Sequence, residues 1–355
     1  MRVCVAMSGG VDSSVAAVLL QEQGYELSGV NLRMFHNEDL GESREKTCCS
    51  LADAEDAALV ARRLGFPFYV FDFSRVFRDT VIRDFVDEYQ AGRTPNPCAV
   101  CNRDVKFGAL LQRVRALGSD CVATGHYARI EQDTASGRWL LKRAADRSKD
   151  QTYFLYMLTQ DQLAHTLFPL GGLHKTEVRQ IAEAHGLVNA RKHDSQDICF
   201  VPDGKYADFI ERTVGNPSPV GPFLDQEGRV LGQHKGLIRY TKGQHKGLGL
   251  STEEPLYVLE KDAETNTIRL GPDSALWTTE LTAERVNLIS VPELTAPMRV
   301  TAKTRYSQRE AAAVIEPLPG GRVRAAFEEP QRAVTAGQAV VFYDGEAVVG
   351  GGIIE

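Results

Sequence analysis

Ser8-Gly9-Gly10-Val11-Asp12-Ser13-Ser14 is the first stretch of the chain whose residue types suggest chemistry. Glycines permit positive φ and a close backbone approach, so successive N–H groups can form one concave anion nest at the start of a helix. The three serines add hydroxyl donors. Asp12 can cap the helix or help to hold a metal beside phosphate. The spacing is not that of a Walker A loop, since no Gly-Lys-Ser/Thr follows, and no GxGxxG marks a dinucleotide site. Two glycines alone would fit a plain strand–turn–helix. The serines and Asp12, placed after the first strand-like run, favour phosphate binding.

Thiol chemistry is the second possibility, because the chain has seven cysteines. Thr94-Pro95-Asn96-Pro97-Cys98-Ala99-Val100-Cys101-Asn102 reads as a proline-stiffened loop that presents a cysteine at the start of a helix, where thiolate is favoured. Asp194-Ser195-Gln196-Asp197-Ile198-Cys199-Phe200 carries a lone cysteine in a polar segment. Plainer readings stand beside these. Cys98 and Cys101 have half of a zinc spacing, but no second Cys/His pair completes it. Cys199, next to Phe200, could be a buried thiol. Cys4 and Cys121 sit in apolar strand-like runs and read as core residues. Cys48-Cys49-Ser50 reads as a helix-capping turn with two spare thiols, since vicinal cysteines pair only under strain; a sulfur-relay or metal role is the secondary reading. Thr124-Gly125-His126-Tyr127-Ala128-Arg129 follows a strand end, where ligands gather in open α/β sheets. Lys149-Asp150-Gln151-Thr152-Tyr153-Phe154-Leu155 is a charged loop entering an aromatic run, or simply a solvated turn.

The elements that must position these residues alternate over the first ~200 residues. Strand-like runs are expected at 2–7, 26–32, 68–71 and 121–123. Helical periodicity covers 11–23, 51–64 (with Ser50 as N-cap), 74–91 and 107–117. Repeated βα units predict a parallel sheet with helices on both faces. The pattern changes near residue 204. A Gly/Pro-rich stretch at 213–250 precedes short alternating runs that predict a β-barrel or sandwich. The expected domains are 1–204, an α/β domain with the phosphate loop; 205–279, a small linker-like domain; and 280–355, a β-barrel.

Apolar residues are 43% and charged residues 25% of the chain, a globular balance that fits neither disorder nor a fibrous repeat. No apolar run approaches the ~18 residues needed to span a bilayer, so no membrane role is expected. The net charge of −6 argues against a protein that coats polyanions, while leaving room for a local basic surface that grips one folded RNA. An odd number of cysteines without an export signal points to a reducing compartment, hence a cytoplasmic protein.

Taken together, SGGVDSS, the segments around Cys98, Gly125, Lys149 and Cys199, and His174-Lys175-Thr176-Glu177-Val178-Arg179, Tyr240–Gly249, Lys303-Thr304-Arg305-Tyr306 and Gly337–Tyr343 make the chain similar, nearly end to end, to the tRNA-specific 2-thiouridylases of the ATP pyrophosphatase superfamily. The resemblance implies ATP-dependent 2-thiolation of the wobble uridine (position 34) of tRNA. It implies an N-terminal adenylation domain, a small central domain and a C-terminal β-barrel. ATP, with Mg²⁺, would be bound by Ala6, Met7, Ser8, Gly9, Gly10, Val11, Asp12, Ser13, Leu32 and Gly125. Asn96, Pro97 and Cys98 would meet the target base. His126, Lys149, Asp150, Gln151, Arg305, Tyr306 and Gln338 would lie against tRNA. Cys101 matches the family's nucleophile and Cys199 its persulfide carrier, with a Cys101–Cys199 disulfide left after turnover. The partners implied are tRNA and a sulfur donor protein, either a cysteine desulfurase or a sulfur-relay carrier.

That chemistry suits these residue types. The C2 oxygen of uridine is a poor leaving group, and adenylation converts it into AMP. A persulfide then supplies sulfur in a site closed to water. Many relatives carry aspartate where this chain has Cys98, which creates a set of three thiols. A [4Fe-4S] cluster on Cys98, Cys101 and Cys199 is therefore the alternative route to the same thiolation. An ATP-dependent amidotransferase or ligase acting on a small molecule is the alternative class. It would need an ammonia source, which the β-rich C-terminus does not offer. A catalytically silent tRNA-binding protein is disfavoured by the intact loop and cysteines.

Overall fold

In the computed structural model the described residues are 1–35, 51–192, 198–201 and 204–355. Cys48, Cys49, the expected cap Ser50 and Asp194 to Asp197 lie outside them. The chain forms two units. The first comprises Met1–Ile82, Cys98–Gly204 and Glu346–Val349, and the second Arg83–Pro97, Lys205–Gly345 and Gly350–Glu355.

The first unit is built on a parallel sheet. Strand β1 (Arg2–Ala6) lies between β2 (Glu26–Arg33) and β4 (Cys121–Ala123); β3 (Phe68–Asp72) and β7 (Thr166–Leu167) flank them in the order β3-β2-β1-β4-β7. Val3, Cys4 and Val5 are all buried, as befits a central strand covered on both faces. Helices α1 (Val11–Glu22) and α2 (Leu51–Leu64) and the helix Lys175–Ala184 supply the cover, with Val15, Val18, Ala57, Val60, Val178 and Ala182 in one core cluster. The phosphate-loop candidate thus emerges at the carboxyl end of the central strand.

Two helical stretches differ from the periodic reading. The single helix expected over 74–91 is Ser74–Phe77, a wide π-helical stretch Arg78–Ile82, then Arg83–Gln90. The helix expected over 107–117 begins ten residues earlier, at Pro97, and runs as Pro97–Val100, π-helical Cys101–Ala109 and Leu110–Ala116. Proline suits a first helical position because its missing N–H is one that the helix cannot use. π-Helical turns leave carbonyls seeking outside donors. Here Gln162 Nε2 donates to the carbonyls of Arg103 (3.1 Å) and Phe107 (3.0 Å). No period-based reading finds that partner, which lies 55 residues on. A hairpin of β5 (Ala128–Gln132) and β6 (Trp139–Arg143) also interrupts the βα alternation. Ala347 pairs with Lys142 beside it, and Arg129 and Arg147 both bridge to Glu346.

In the second unit β8 (Gly221–Leu224), β9 (Val230–His234), β10 (Tyr257–Asp262) and β11 (Thr267–Gly271) form a four-stranded sheet, order β10-β11-β8-β9. Phe223, Val258, Ile268 and Leu270 are fully buried in its core. Strands β12 (Trp277–Leu288), β13 (Met298–Lys303), β14 (Ala311–Leu318), β15 (Arg322–Arg332), β16 (Ala339–Asp344) and β17 (Ala347–Ile354) follow in the order β12-β15-β14-β13-β16-β17. Pairing of β12 with β17 closes them into a barrel. The alternation read from the sequence points Val300, Ala302, Ala313, Ile315, Ala325 and Phe327 inward. Among the described residues no helix is long and apolar enough to cross a membrane.

The ring of Phe223 lies edge-on to Tyr240, 5.3 Å away, and to His234. Phe223→Ala should cost about 3–5 kcal/mol of unfolding free energy, the range for a buried aromatic. Urea denaturation checks this. A loss below about 1 kcal/mol would show that the ring is not the centre of this core.

Candidate active site

The loop after β1 turns sharply into α1, with Gly10 extended as the N-cap. Gly9 has φ +79°, and a Cβ there would collide with the carbonyl of Asp53 at the start of α2. Glycine is therefore needed twice over, for the left-handed backbone and for the close approach. Gly125, after β4, presses on the same loop from the other side: a Cβ there would lie 2.7 Å from the Asp12 carbonyl carbon and the Ser13 nitrogen. Ser8 is exposed. Ser13 and Ser14 are buried, and their hydroxyls donate to the Gly10 carbonyl at 3.2 and 3.1 Å. Of the three serine hydroxyls, two brace the loop and one faces outward. Ala6, Met7 and Leu32 frame it from β1 and β2. The Met7 N–H donates to Val30, and the Met7 carbonyl accepts from buried Asn31 at 2.9 Å.

Asp12 has partners that its local sequence does not reveal. Lys175 Nζ lies 2.7 and 2.8 Å from its two oxygens, and the Tyr127 hydroxyl donates to Oδ1 at 2.8 Å. Lys175 is only 9% exposed, so its ammonium depends on that carboxylate. Asn189 and Lys192 were not singled out by any motif, yet both reach the loop. Asn189 Nδ2 lies 3.0 Å from the Gly9 carbonyl, 3.2 Å from that of Gly10 and 2.9 Å from Ser14 Oγ. Lys192 Nζ lies 3.3 Å from the Gly9 carbonyl and pairs with Asp53 (2.5 Å) and Asp56 (2.7 Å).

Cys98 is exposed in the first turn of the helix that Pro97 opens. Cys101 is buried where the π-helical stretch begins, with its sulfur 3.9 Å from that of Met34. Cys199 is half-buried. Its neighbour Phe200 meets Phe77 edge-on at 5.6 Å, and Phe77 meets Phe35 at 6.1 Å. One aromatic cluster thus runs from the residue beside Cys199 to the residue beside Met34.

His126 is held by its ring neighbours Phe107 (5.9 Å) and Phe168 (5.7 Å) and by Thr124 Oγ1, 2.7 Å from Nδ1. Burial, and then the Lys106 ammonium, keeps its imidazole well below the ordinary histidine range. It is a neutral group at neutral pH. Asp150 accepts from the Ala144 N–H (3.0 Å) and Thr152 Oγ1 (2.6 Å), and Gln151 Oε1 accepts from the Tyr127 N–H at 2.9 Å. Both therefore shape the loop that displays half-buried Lys149. In the second unit Arg305 Nη2 donates to Ala333 and to Thr335 Oγ1, each at 2.9 Å. Tyr306 keeps an exposed ring, with Lys303 Nζ 5.6 Å from its centroid. Gln338 Nε2 donates to the carbonyls of Thr94 (3.0 Å) and Pro95 (3.1 Å), fixing the backbone just ahead of Asn96 and Pro97.

No three His, Cys, Asp or Glu side chains converge as a metal site among the described residues. Cys98, Cys101 and Cys199 do not meet as a set of cluster ligands, so no step is derived through iron and sulfide. Asp12, already accepting three hydrogen bonds, does not fit as a direct metal ligand in this arrangement.

The depressed imidazole has a consequence for stability. The unfolded chain binds a proton at His126 near pH 6.5 and the folded chain resists it, so stability falls as pH drops below about 6.5, by at most about 1.4 kcal/mol per pH unit from this group. In urea titrations between pH 7 and 5, His126→Gln should show a shallower decline than the parent protein. Parallel pH curves would show that His126 is not held neutral.

Three family models match the chain in order: the tRNA methyl transferase HUP domain over residues 1–203, the tRNA methyl transferase PRC-barrel domain over 207–272 and the aminomethyltransferase beta-barrel domain over 278–354. The chain is 51% identical to the tRNA-specific 2-thiouridylase MnmA of Acetivibrio thermocellus, over 100% of this chain and 99% of that protein. It is 53% identical to tRNA-specific 2-thiouridylase MnmA 2 of Caldanaerobacter subterraneus subsp. tengcongensis, over 100% and 98%. To the Clostridium perfringens protein of the same type it is 50% identical, again over 100% and 98%. Similarity that spans the phosphate loop, both cysteine segments and the barrel without a gap in coverage leaves one conclusion: the chain belongs to the tRNA-specific 2-thiouridylase family.

Proposed function

We infer that this protein is a tRNA-uridine 2-sulfurtransferase, which uses ATP to replace the C2 oxygen of a tRNA uridine, the wobble base at position 34, with sulfur. The observation that carries this reading is the tight glycine loop at Ser8–Ser13 that opens α1, in a chain similar from end to end to 2-thiouridylases.

The uridine C2 oxygen attacks the α-phosphorus of ATP and pyrophosphate leaves. The nest, with its aligned N–H groups at the start of α1, is suited to the charge that builds on the departing phosphates. Mg²⁺ would be held chiefly by the nucleotide's own phosphates. Leu32 and Gly125 would bound the nucleotide. Asn96, Pro97 and Cys98 would receive the base, and Lys149 and Tyr306 offer exposed or half-exposed groups for tRNA. Arg305, Asp150, Gln151 and Gln338 would serve it by holding backbone in place, with His126 as a neutral, packed neighbour of the ATP loop's flank.

Sulfur then enters from a Cys199 persulfide. Its terminal sulfur attacks C2 and AMP leaves. The Cys101 thiolate attacks the Cys199 sulfur, which releases the thiocarbonyl and joins the two cysteines in a disulfide. A thiol reductant resets the pair, and a cysteine desulfurase or relay protein reloads Cys199. The end-to-end similarity to 2-thiouridylases supports this pairing, with Cys101 buried and Cys199 half-buried. The domains would divide at 1–204, 205–279 and 280–355, with the first as the adenylation domain, and the enzyme would work in the cytoplasm.

Cys101→Ser and Cys199→Ser should each abolish 2-thiouridine in nucleoside mass spectrometry of the tRNA product, while tRNA-dependent pyrophosphate release persists. Cys98→Ser should keep some thiolation, and protein purified free of iron should be active. Pyrophosphate release that answers to a small amine and ignores tRNA would overturn the assignment. Thiolation that needs iron and sulfide, and is lost in Cys98→Ser, would overturn the persulfide route.

A further inference from the structure

Asn189 and Lys192 lie beyond the helix Lys175–Ala184 and belong to no motif that the function uses, yet both contact the back of the phosphate loop. A trans peptide unit carries its C=O and N–H on opposite sides. The Gly9 carbonyl shares a peptide with the Gly10 N–H, and the Gly10 carbonyl shares one with the Val11 N–H. A donor that grips both carbonyls from behind therefore turns both N–H groups to the front. Asn189 Nδ2 is placed to do this, at 3.0 and 3.2 Å, with Ser14 Oγ at 2.9 Å as its third neighbour. Asn189 is 3% exposed, so neither water nor a second rotamer competes easily for the amide. Lys192 Nζ adds a cation 3.3 Å from the Gly9 carbonyl and ties it to Asp53 and Asp56 of α2. Asp53 is the residue whose own carbonyl forbids a side chain at Gly9.

We propose that Asn189 and Lys192 are positioning residues for ATP, a pair that holds the Gly9–Gly10 and Gly10–Val11 peptides with their N–H groups facing the nucleotide's phosphates. The proposal rests on the loop's being the phosphate site. It adds that the nest is not set by its own sequence alone. A loop with two adjacent glycines has many backbone states, and an anion nest needs one of them. Fixing that state before ATP arrives removes an ordering cost from binding. The amide's donor face is the active feature, since a carboxylate of the same size would turn lone pairs toward two carbonyls.

The test is tRNA-dependent pyrophosphate release, with the ATP KM and kcat measured separately, alongside filter binding of tRNA and thermal unfolding. Asn189→Ala and Asn189→Asp should each raise the ATP KM by about tenfold, the equivalent of one buried hydrogen bond. Their tRNA affinity should stay within about twofold of the parent. Asn189→Asp keeps the side-chain volume, so a packing role would leave it near the parent value and a donor role would not. Lys192→Met should weaken ATP in the same direction and Lys192→Arg should restore it. If the Asn189 variants do not fold, this second pair decides, because Lys192 is a third exposed and tolerates replacement. Folded Asn189→Asp with the parent's ATP KM, or Lys192→Met equal to Lys192→Arg, would overturn the proposal. Failure of the parent protein itself to use ATP would instead overturn the reading of the loop.

Discussion

The pair between Asp12 and Lys175 is the contact on which the site depends. It ties the first turn of α1 to the first residue of a helix 163 positions later, and the Tyr127 hydroxyl adds the segment after β4. A nearly buried ammonium is tolerable only with a partner, so the chain cannot relax this contact without exposing Lys175 or leaving it uncompensated. The helix start is fixed independently. The Lys175 N–H donates to Asp146, and Glu177 reaches back to the His174 N–H as the second half of a capping box. Three segments meet at one carboxylate, and the glycine loop between them inherits their positions.

The sulfur half of the site rests on a different force. Met34, Phe35, Phe77, Phe200 and Cys101 are all buried, and the rings among them are 5.6–6.1 Å apart. Burial and the contact with the Met34 sulfur hold Cys101 there. The π-helical stretch begins at Cys101. Its wide turns bring Asn102 Nδ2 to the Phe154 carbonyl at 2.9 Å and let Gln162 satisfy two carbonyls. The helical segment that follows the cysteine is therefore pinned from outside.

In the second unit the barrel does more than close its own edges. The Thr94 N–H donates to Ala336, Gln338 grips the next two carbonyls, and a Cβ on Gly337 would strike Arg93 and Thr94 at 2.8 Å. The extended approach to Asn96 is thus written partly in residues 336–338, about 240 positions away. A segment with two prolines, stiff by itself, is thus also held by Gly337 and Gln338. Proline fixes φ, but it cannot fix where the strand of chain lies.

Much of this was legible in the sequence because it is local. The apolar run at Val3–Val5, the glycines and Asp12 of the loop, the switch to period-two alternation after residue 254 and the proline before Cys98 all act over a few residues, and each appears in the fold where the pattern put it. The resemblance to 2-thiouridylases, carried by those same motifs, was enough to name the reaction. What the sequence did not reveal are the partners. Ser13 and Ser14 read as phosphate donors, yet their hydroxyls turn inward to Gly10. Asp150 and Arg305 read as contacts for tRNA, and the sequence did not show that both also hold backbone groups. Asn189, Lys192 and Gln162 carried no signal at all. The reason is physical: a side chain's type states what it can donate or accept, while the choice among partners is made by the folded backbone and its packing, which for Gln162 and Asn189 joins residues more than 50 apart at about 3 Å.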